Sequence, residues 1–187
     1  MEQEPLPSPE REPVDAPRIY VASLSDYNAG RLHGTWIDAA QPASELHEQI
    51  HTMLAESTEE IAEEWAIHDY EGFGPLRLSE YESIDTVARV AAGIAEHGVA
   101  FAHWAALVGT GDDDLASFSD HYLGHWPSIG AYAAELVDDF GVQRQLDRLT
   151  LPFREYIHVE IDALARDLEI EYLSAEDNDG VHIWEQP

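Results

Sequence analysis

Arg18-Ile-Tyr-Val-Ala-Ser-Leu24, then Ser25-Asp-Tyr-Asn-Ala-Gly30, then His33-Gly-Thr-Trp-Ile-Asp38 decide how this chain begins to fold. The first run is β-branched and aromatic, the composition of a strand. The middle run is dense in turn formers. The third reads as a second strand, with Trp36 and Asp38 on one face and Thr35 and Ile37 on the other. Strand, turn and strand in this order point to an antiparallel sheet.

Working outward, residues 1–16 hold four prolines and five acids and read as a disordered tail, with order starting near Pro17. From Ala43 the apolar period changes: Leu46, Ile50, Met53 and Leu54 fall on one helical face. Trp65-Ala-Ile-His-Asp-Tyr70 is a third strand, ended by Glu71-Gly-Phe-Gly-Pro75. Ser79 and Glu82 fit a capping box, and Ile84, Val87, Ala88, Ala91, Ala92 and Ala95 then keep helical spacing up to Gly98. Residues 99–107 form a second apolar helix, closed by Gly109-Thr-Gly111. Asp112, Asp113 and Asp114 suit the positive end of a third. Residues 128–140 make a helix ending at Gly141, and residues 152–168 the longest late one, with Pro152 in its first turn. Residues 170–173 and 181–184 pair as a hairpin around Asn178-Asp179-Gly180. The expected fold is α+β, in three small consecutive domains. These are an N-terminal sheet domain (17–76), a helical bundle (77–118) and a C-terminal α/β domain (119–187). Trp36, Trp65, Trp104 and Trp184 sit in apolar elements and are expected in the core.

Composition narrows the function. The 187 residues carry 38 Asp+Glu against 9 Lys+Arg, a net charge of -29, and contain no cysteine. All the basic residues are arginines. Thiol nucleophiles, Cys-ligated metals and disulfides are excluded. So acidic a chain cannot neutralise a phosphate backbone, so direct nucleic-acid binding is not expected; nor is binding to an anionic membrane surface. No apolar run is long enough to span a bilayer, and the first residues lack the pattern of a signal peptide. The cytoplasm is the expected location, and no cofactor is expected.

The charge runs through the whole chain. Ten acids and no base lie between Arg31 and Arg77, eight acids between Arg89 and Arg144, and seven after Arg166. Many fall opposite the apolar helical positions. Glu45 and Glu48 flank Leu46, while Glu135, Asp138 and Asp139 ride a helix that buries Leu136 and Phe140, as core or as dimer contact. Acids three or four apart on a helix stand about 5–6 Å apart, and duplex DNA presents one charge per about 1.7 Å. A dimer would carry about 58 net negative charges, the backbone charge of roughly 29 base pairs. Mimicry of a polyanion therefore stands beside two simpler explanations, a solvated surface and adaptation to high salt. Solubility alone needs a net charge of only about 2–8.

One motif argues for an enzyme. His47-Glu48-Gln49-Ile50-His51 matches H-E-x-x-H on an expected helix. There the two histidines could bind zinc, with Glu48 as general base and Glu71 or Glu64 as third ligand. A zinc-dependent hydrolase is thus an alternative, although no known third-ligand motif follows. His121 and His125 are also four apart, but Trp126-Pro127 makes them a loop edge. Ser23, Ser25 and Asp26 lie near His33 without a nucleophile-elbow sequence.

PRIYVASLSDYNAGRLHGTWIDA, residues 17–39, closely resembles the opening of the ArdA antirestriction proteins. EEWAIHDYEGF, residues 63–73, resembles the end of that family's first domain. The stretch from Tyr122 through Gly124 to AAELVDDFG, ending at Gly141, resembles its antirestriction motif. LPFREYIHVEIDALARDL, residues 151–168, resembles its last long helix. The first segment is the specific one and the others support it.

The resemblance implies a DNA mimic that is not an enzyme, carried by mobile genetic elements. It would bind type I restriction–modification enzymes in the DNA-binding cleft of the methyltransferase core. It also implies three domains in an elongated line and a homodimer joined through the C-terminal domain, near Leu136, Val137, Phe140 and Gly141. The carboxylates of Glu45, Glu48, Glu59, Glu60, Glu63, Glu64, Asp112, Asp113, Asp114, Glu135, Asp138 and Asp139 would then stand in for phosphates.

Overall fold

The computed structural model describes residues 16–187 except Glu60 and Leu151. Most of the expected N-terminal tail and the expected site residue Glu60 therefore lie outside the described residues. The fold is α+β, with two three-stranded antiparallel sheets. The chain packs as two compact units that divide between Leu115 and Ala116.

The first unit is built on β1 (Arg18–Ser23), followed by a short helix α1 (Leu24–Asn28), β2 (Gly34–Asp38), α2 (Ala43–Ala55) and β3 (Trp65–Glu71). β1 is central, pairing β2 and β3 antiparallel, with Ile19 opposite both Ile37 and Tyr70. Ile19, Val21, Ile37 and Ile67 are buried on the sheet. Gly34 is required beside β1, because a Cβ there would lie 2.5 Å from the Val21 carbonyl oxygen. The expected turn at residues 25–30 is largely α1, whose N-cap Ser23 accepts a hydrogen bond from the Asp26 amide. α2 buries Leu46, Ile50, Met53 and Leu54, the four positions its periodicity marks, and packs on β1, β2 and α3.

α3 (Ile84–His97) and α4 (Val99–Val108) follow, then α5 (Asp112–Ala116), which reaches the boundary. The capping box does not start α3. Ser79 N–H does reach the Glu82 carboxylate, but the Glu80 carbonyl accepts from Ile67 in β3, so residues 79–82 are tied to the sheet. The helix begins after Ser83. Its buried stripe is Ile84, Val87, Ala88, Val90, Ala91 and Ile94. Ala92 and Ala95 face outward, because Val90, Ala91 and Ile94 complete the 3.6-residue stripe. Trp104 is fully buried, and its indole N–H donates to the Asp114 carbonyl at 2.8 Å, fastening α5. Trp36 is not in the core, where its strand was expected to place it. Strand alternation gives the inward position to Ile37, so Trp36 is exposed under the Arg18 guanidinium, 4.7 Å from the ring centroid.

The second unit begins with α6 (Phe118–His121) and β4 (Tyr122–Trp126), then α7 (Ile129–Asp139), α8 (Val142–Leu146), α9 (Ile161–Glu171), β5 (Tyr172–Glu176) and β6 (Val181–Glu185). β6 is the central strand, antiparallel to β4 and β5. The hairpin turn is where the Asn-Asp-Gly signal places it. Ile170, expected in a strand, is instead an exposed residue of α9. α7 and α9 pack together over Tyr132, Ala133, Ala165, Leu168, Val181 and Ile183. Ser128 caps α7 by accepting from the Ala131 amide.

The long helix expected over residues 152–168 is broken. A single 3-10 turn, Phe153–Glu155, is followed by non-helical residues before α9. Only the later part packs on α7, through Ala165 and Leu168. Phe153, Tyr156 and Ile157 stay exposed and supply no burial to offset helix formation. Phe140 is also exposed, at 73%, and not buried as its spacing suggests. It is the C-cap of α7, and Leu136 is the last α7 residue packed on the cluster. Among the described residues no helix is long and apolar enough to cross a membrane.

Candidate functional site

The acids fall where helix geometry sends them. Glu45 and Glu48 lie three residues apart on the exposed side of α2, opposite Leu46 and Ile50. Glu63 and Glu64 are exposed just before β3, and the Glu64 carbonyl accepts from the Leu24 amide, anchoring the main chain while the side chain points out. Asp112, Asp113 and Asp114 form the exposed first turn of α5, where the helix dipole favours negative charge. In the second unit Glu135, Asp138 and Asp139 occupy the exposed side of α7.

These carboxylates are not equivalent. Glu59 pairs with Arg31, and Asp112 with Arg89 at 2.8 Å. Glu135 accepts a 2.7 Å hydrogen bond from the Trp126 indole. Glu45, Glu48, Glu63, Glu64, Asp113, Asp138 and Asp139 have no ion pair among the described residues. The last group offers the barest negative charge.

At the end of α7, Leu136 and Val137 are half-buried, and Gly141 takes a left-handed conformation (φ 60) that turns the chain into α8. Phe140, Phe153, Tyr156, Ile157 and Ile170 are large apolar side chains left exposed in the same unit.

His47 and His51 do lie on α2, and both are exposed. Neither proposed third ligand joins them. Glu71 is engaged by Arg18 at 2.8 Å, and among the described residues no metal-capable cluster contains either histidine. Asp26, near His33, is buried at 1% exposure. Hydrogen bonding from the Ser57 hydroxyl at 2.6 Å holds its carboxyl below the usual range, against the opposing effect of burial and with help from Ser23, His33 and Arg31. It clamps α1 to residues 57–59 rather than serving a nucleophile.

One constellation escapes sequence reading. His125 of β4 and His182 of β6 are register partners, and both direct Nε2 at Asp177, at 3.2 Å and 3.0 Å. Burial pushes the Asp177 carboxyl up. The Asp179 amide, the His125 hydrogen bond and the charges of both histidines outweigh this and hold it at about 2. His121 takes no part: it ends α6, and its Nδ1 lies 2.9 Å from the Ser117 carbonyl oxygen. The signal was hidden because β4 was not legible as a strand.

Fold and surface together define an acidic α+β protein that presents carboxylates outward from the helices of both units. A family model described as Antirestriction protein (ArdA) matches residues 19–182. The chain belongs to that family, and its function is antirestriction; the family is not a known class of enzyme. No curated protein matches the chain.

Proposed function

We propose that this antirestriction protein works as a stoichiometric DNA mimic. Its carboxylates occupy the cationic DNA-binding cleft of a type I restriction–modification enzyme and exclude the duplex. The observation that carries this reading is the placement of the charge. In both units the helix faces opposite the buried stripes carry carboxylates, and seven of the twelve candidate acids lack an arginine or indole partner among the described residues. A solvated surface needs far less charge than -29. The protein acts in the cytoplasm as a homodimer, with Phe140 and other exposed apolar side chains of the second unit as the contact. The division into domains 17–76, 77–118 and 119–187 belongs to the same reading, as does carriage on mobile elements.

The test is displacement of duplex DNA from a type I methyltransferase core in ordinary buffer. Displacement that weakens steeply with added salt is expected. No displacement defeats the reading, and a chain folded only in molar salt would favour salt adaptation instead. Binding is spread over many contacts, each comparable to an exposed ion pair worth about 0.2–1 kcal/mol. A single change such as Glu48→Gln or Asp138→Asn should therefore weaken binding only about 1.4- to 5-fold. A single neutralisation that abolished binding would count against a distributed mimic.

A further inference from the structure

We propose that His125, Asp177 and His182 bind a first-row divalent metal ion, with Zn2+ the best match. Two imidazoles and one carboxylate are a donor set for zinc, cobalt, nickel or copper, not for magnesium or calcium, which take oxygen ligands. One ligand atom from each residue lies within 4.8 Å of the others. The two imidazole–carboxylate distances are 3.2 Å and 3.0 Å. Ligands about 2.0–2.1 Å from a tetrahedral ion stand roughly 3.3 Å apart. An ion entering between the three groups therefore replaces two hydrogen bonds while the carboxylate shifts little against either ring.

The site is built before any ion arrives. His125 and His182 face each other across the β4–β6 ladder, so their rings share one face of the sheet. The Asp177 carboxylate is aimed by the turn itself, because its Oδ1 accepts from the amides of Asp179 and Gly180 at 2.9 Å and 2.8 Å. On the far side of the His182 ring, Nδ1 lies 2.8 Å from the Tyr122 hydroxyl. That contact orients the ring with Nε2 toward Asp177, the outer-shell arrangement that metal-binding histidines use. Gly180 makes the closure possible, since a Cβ there would lie 3.0 Å from His125 Nε2 and 2.1 Å from the Trp126 carbonyl oxygen. His182 is buried and His125 is partly open to solvent, so an ion has an approach and water can take the fourth position. A bound ion ties β4 to the β5–β6 turn.

The experiment uses the full chain, stripped by chelator and titrated with Zn2+ in millimolar Mg2+, which masks the surface carboxylates. One Zn2+ per chain is expected, with a melting temperature raised by roughly 5–10 °C when free Zn2+ is about 100-fold above Kd. Co2+ should give the intense visible absorption of a tetrahedral site. His125→Gln, at the most exposed ligand, and Asp177→Asn, which keeps an acceptor for the turn amides, should each weaken uptake at least tenfold while retaining the native circular dichroism spectrum. His47→Gln with His51→Gln should leave uptake unchanged. Absence of stoichiometric uptake overturns the proposal, as does uptake that survives His125→Gln or is lost with the α2 histidines.

Discussion

Gly93→Ala separates helix propensity from packing. Gly93 lies in the interior of α3, where replacing glycine by alanine should by propensity alone stabilise by about 1 kcal/mol. The structure predicts the opposite. A Cβ at this position would lie 2.2, 2.3 and 2.6 Å from three ring carbons of Phe101 on α4. Carbon atoms pack at about 3.5–4.0 Å, so the ring would have to retreat by well over 1 Å. Phe101 is 5% exposed and stacks on His97 with a 5.8 Å centroid separation, which leaves it little room. Overpacking costs about 1–3 kcal/mol, and a clash this deep belongs at the upper end. Subtracting the propensity gain leaves a net loss of about 1–2 kcal/mol. With a urea slope of about 2 kcal/mol/M, the midpoint should fall by roughly 0.5–1 M. Tryptophan fluorescence reports the transition, since Trp104 is buried on the same α4. Adding Phe101→Leu to Gly93→Ala should recover part of the loss by vacating the space. A Gly93→Ala variant as stable as the parent chain, or more stable, would refute the packing argument.

Ser128→Ala removes the hydroxyl that accepts from the Ala131 amide at 3.1 Å; the loss should be about 1 kcal/mol, seen as a lower melting temperature and largely restored by Ser128→Asp. Asp26 has its carboxyl held below the ordinary 3.8, so its contribution is fully present above that pH and is lost as pH falls through the folded value. Asp26→Asn should therefore be less stable than the parent at pH 7 and converge with it below about pH 4 in parallel denaturant titrations. Phe140→Glu with Tyr156→Glu places charge on side chains that are 73% and 75% exposed. Sedimentation should show a dimer becoming a monomer with unchanged circular dichroism; a parent chain that is monomeric at every concentration would sink the dimer contact.

Legibility varied with the range of the interaction. α2 was readable because Leu46, Ile50, Met53 and Leu54 form its face whatever they meet. The hairpin turn was readable because Asn178-Asp179-Gly180 carries its own backbone preference. β4 was not, because Gly124 sits in its interior at φ 142 beside a register shift, and the strand exists only where β6 offers a ladder. For the same reason the histidines at 125 and 182 could not be joined to Asp177 from their spacing. The acidic site lay between these cases. That Glu45, Glu48, Asp138 and Asp139 face outward followed from periodicity. That Asp112 and Glu59 are paired to arginines and Glu135 to an indole did not.

By itself the sequence determined the charge, the α+β order of elements, the faces of its longer helices and the antirestriction family, since each is written in composition or in residues close together in the chain. Tertiary structure alone decided that Phe140, Phe153 and Tyr156 stay exposed while Tyr132 and Leu168 are covered, which carboxylates keep a bare charge, and that two histidines converge on one aspartate. The physical reason is common to all three. Burial, pairing and convergence depend on what a side chain meets from elsewhere in the chain, and periodicity specifies only which way it points.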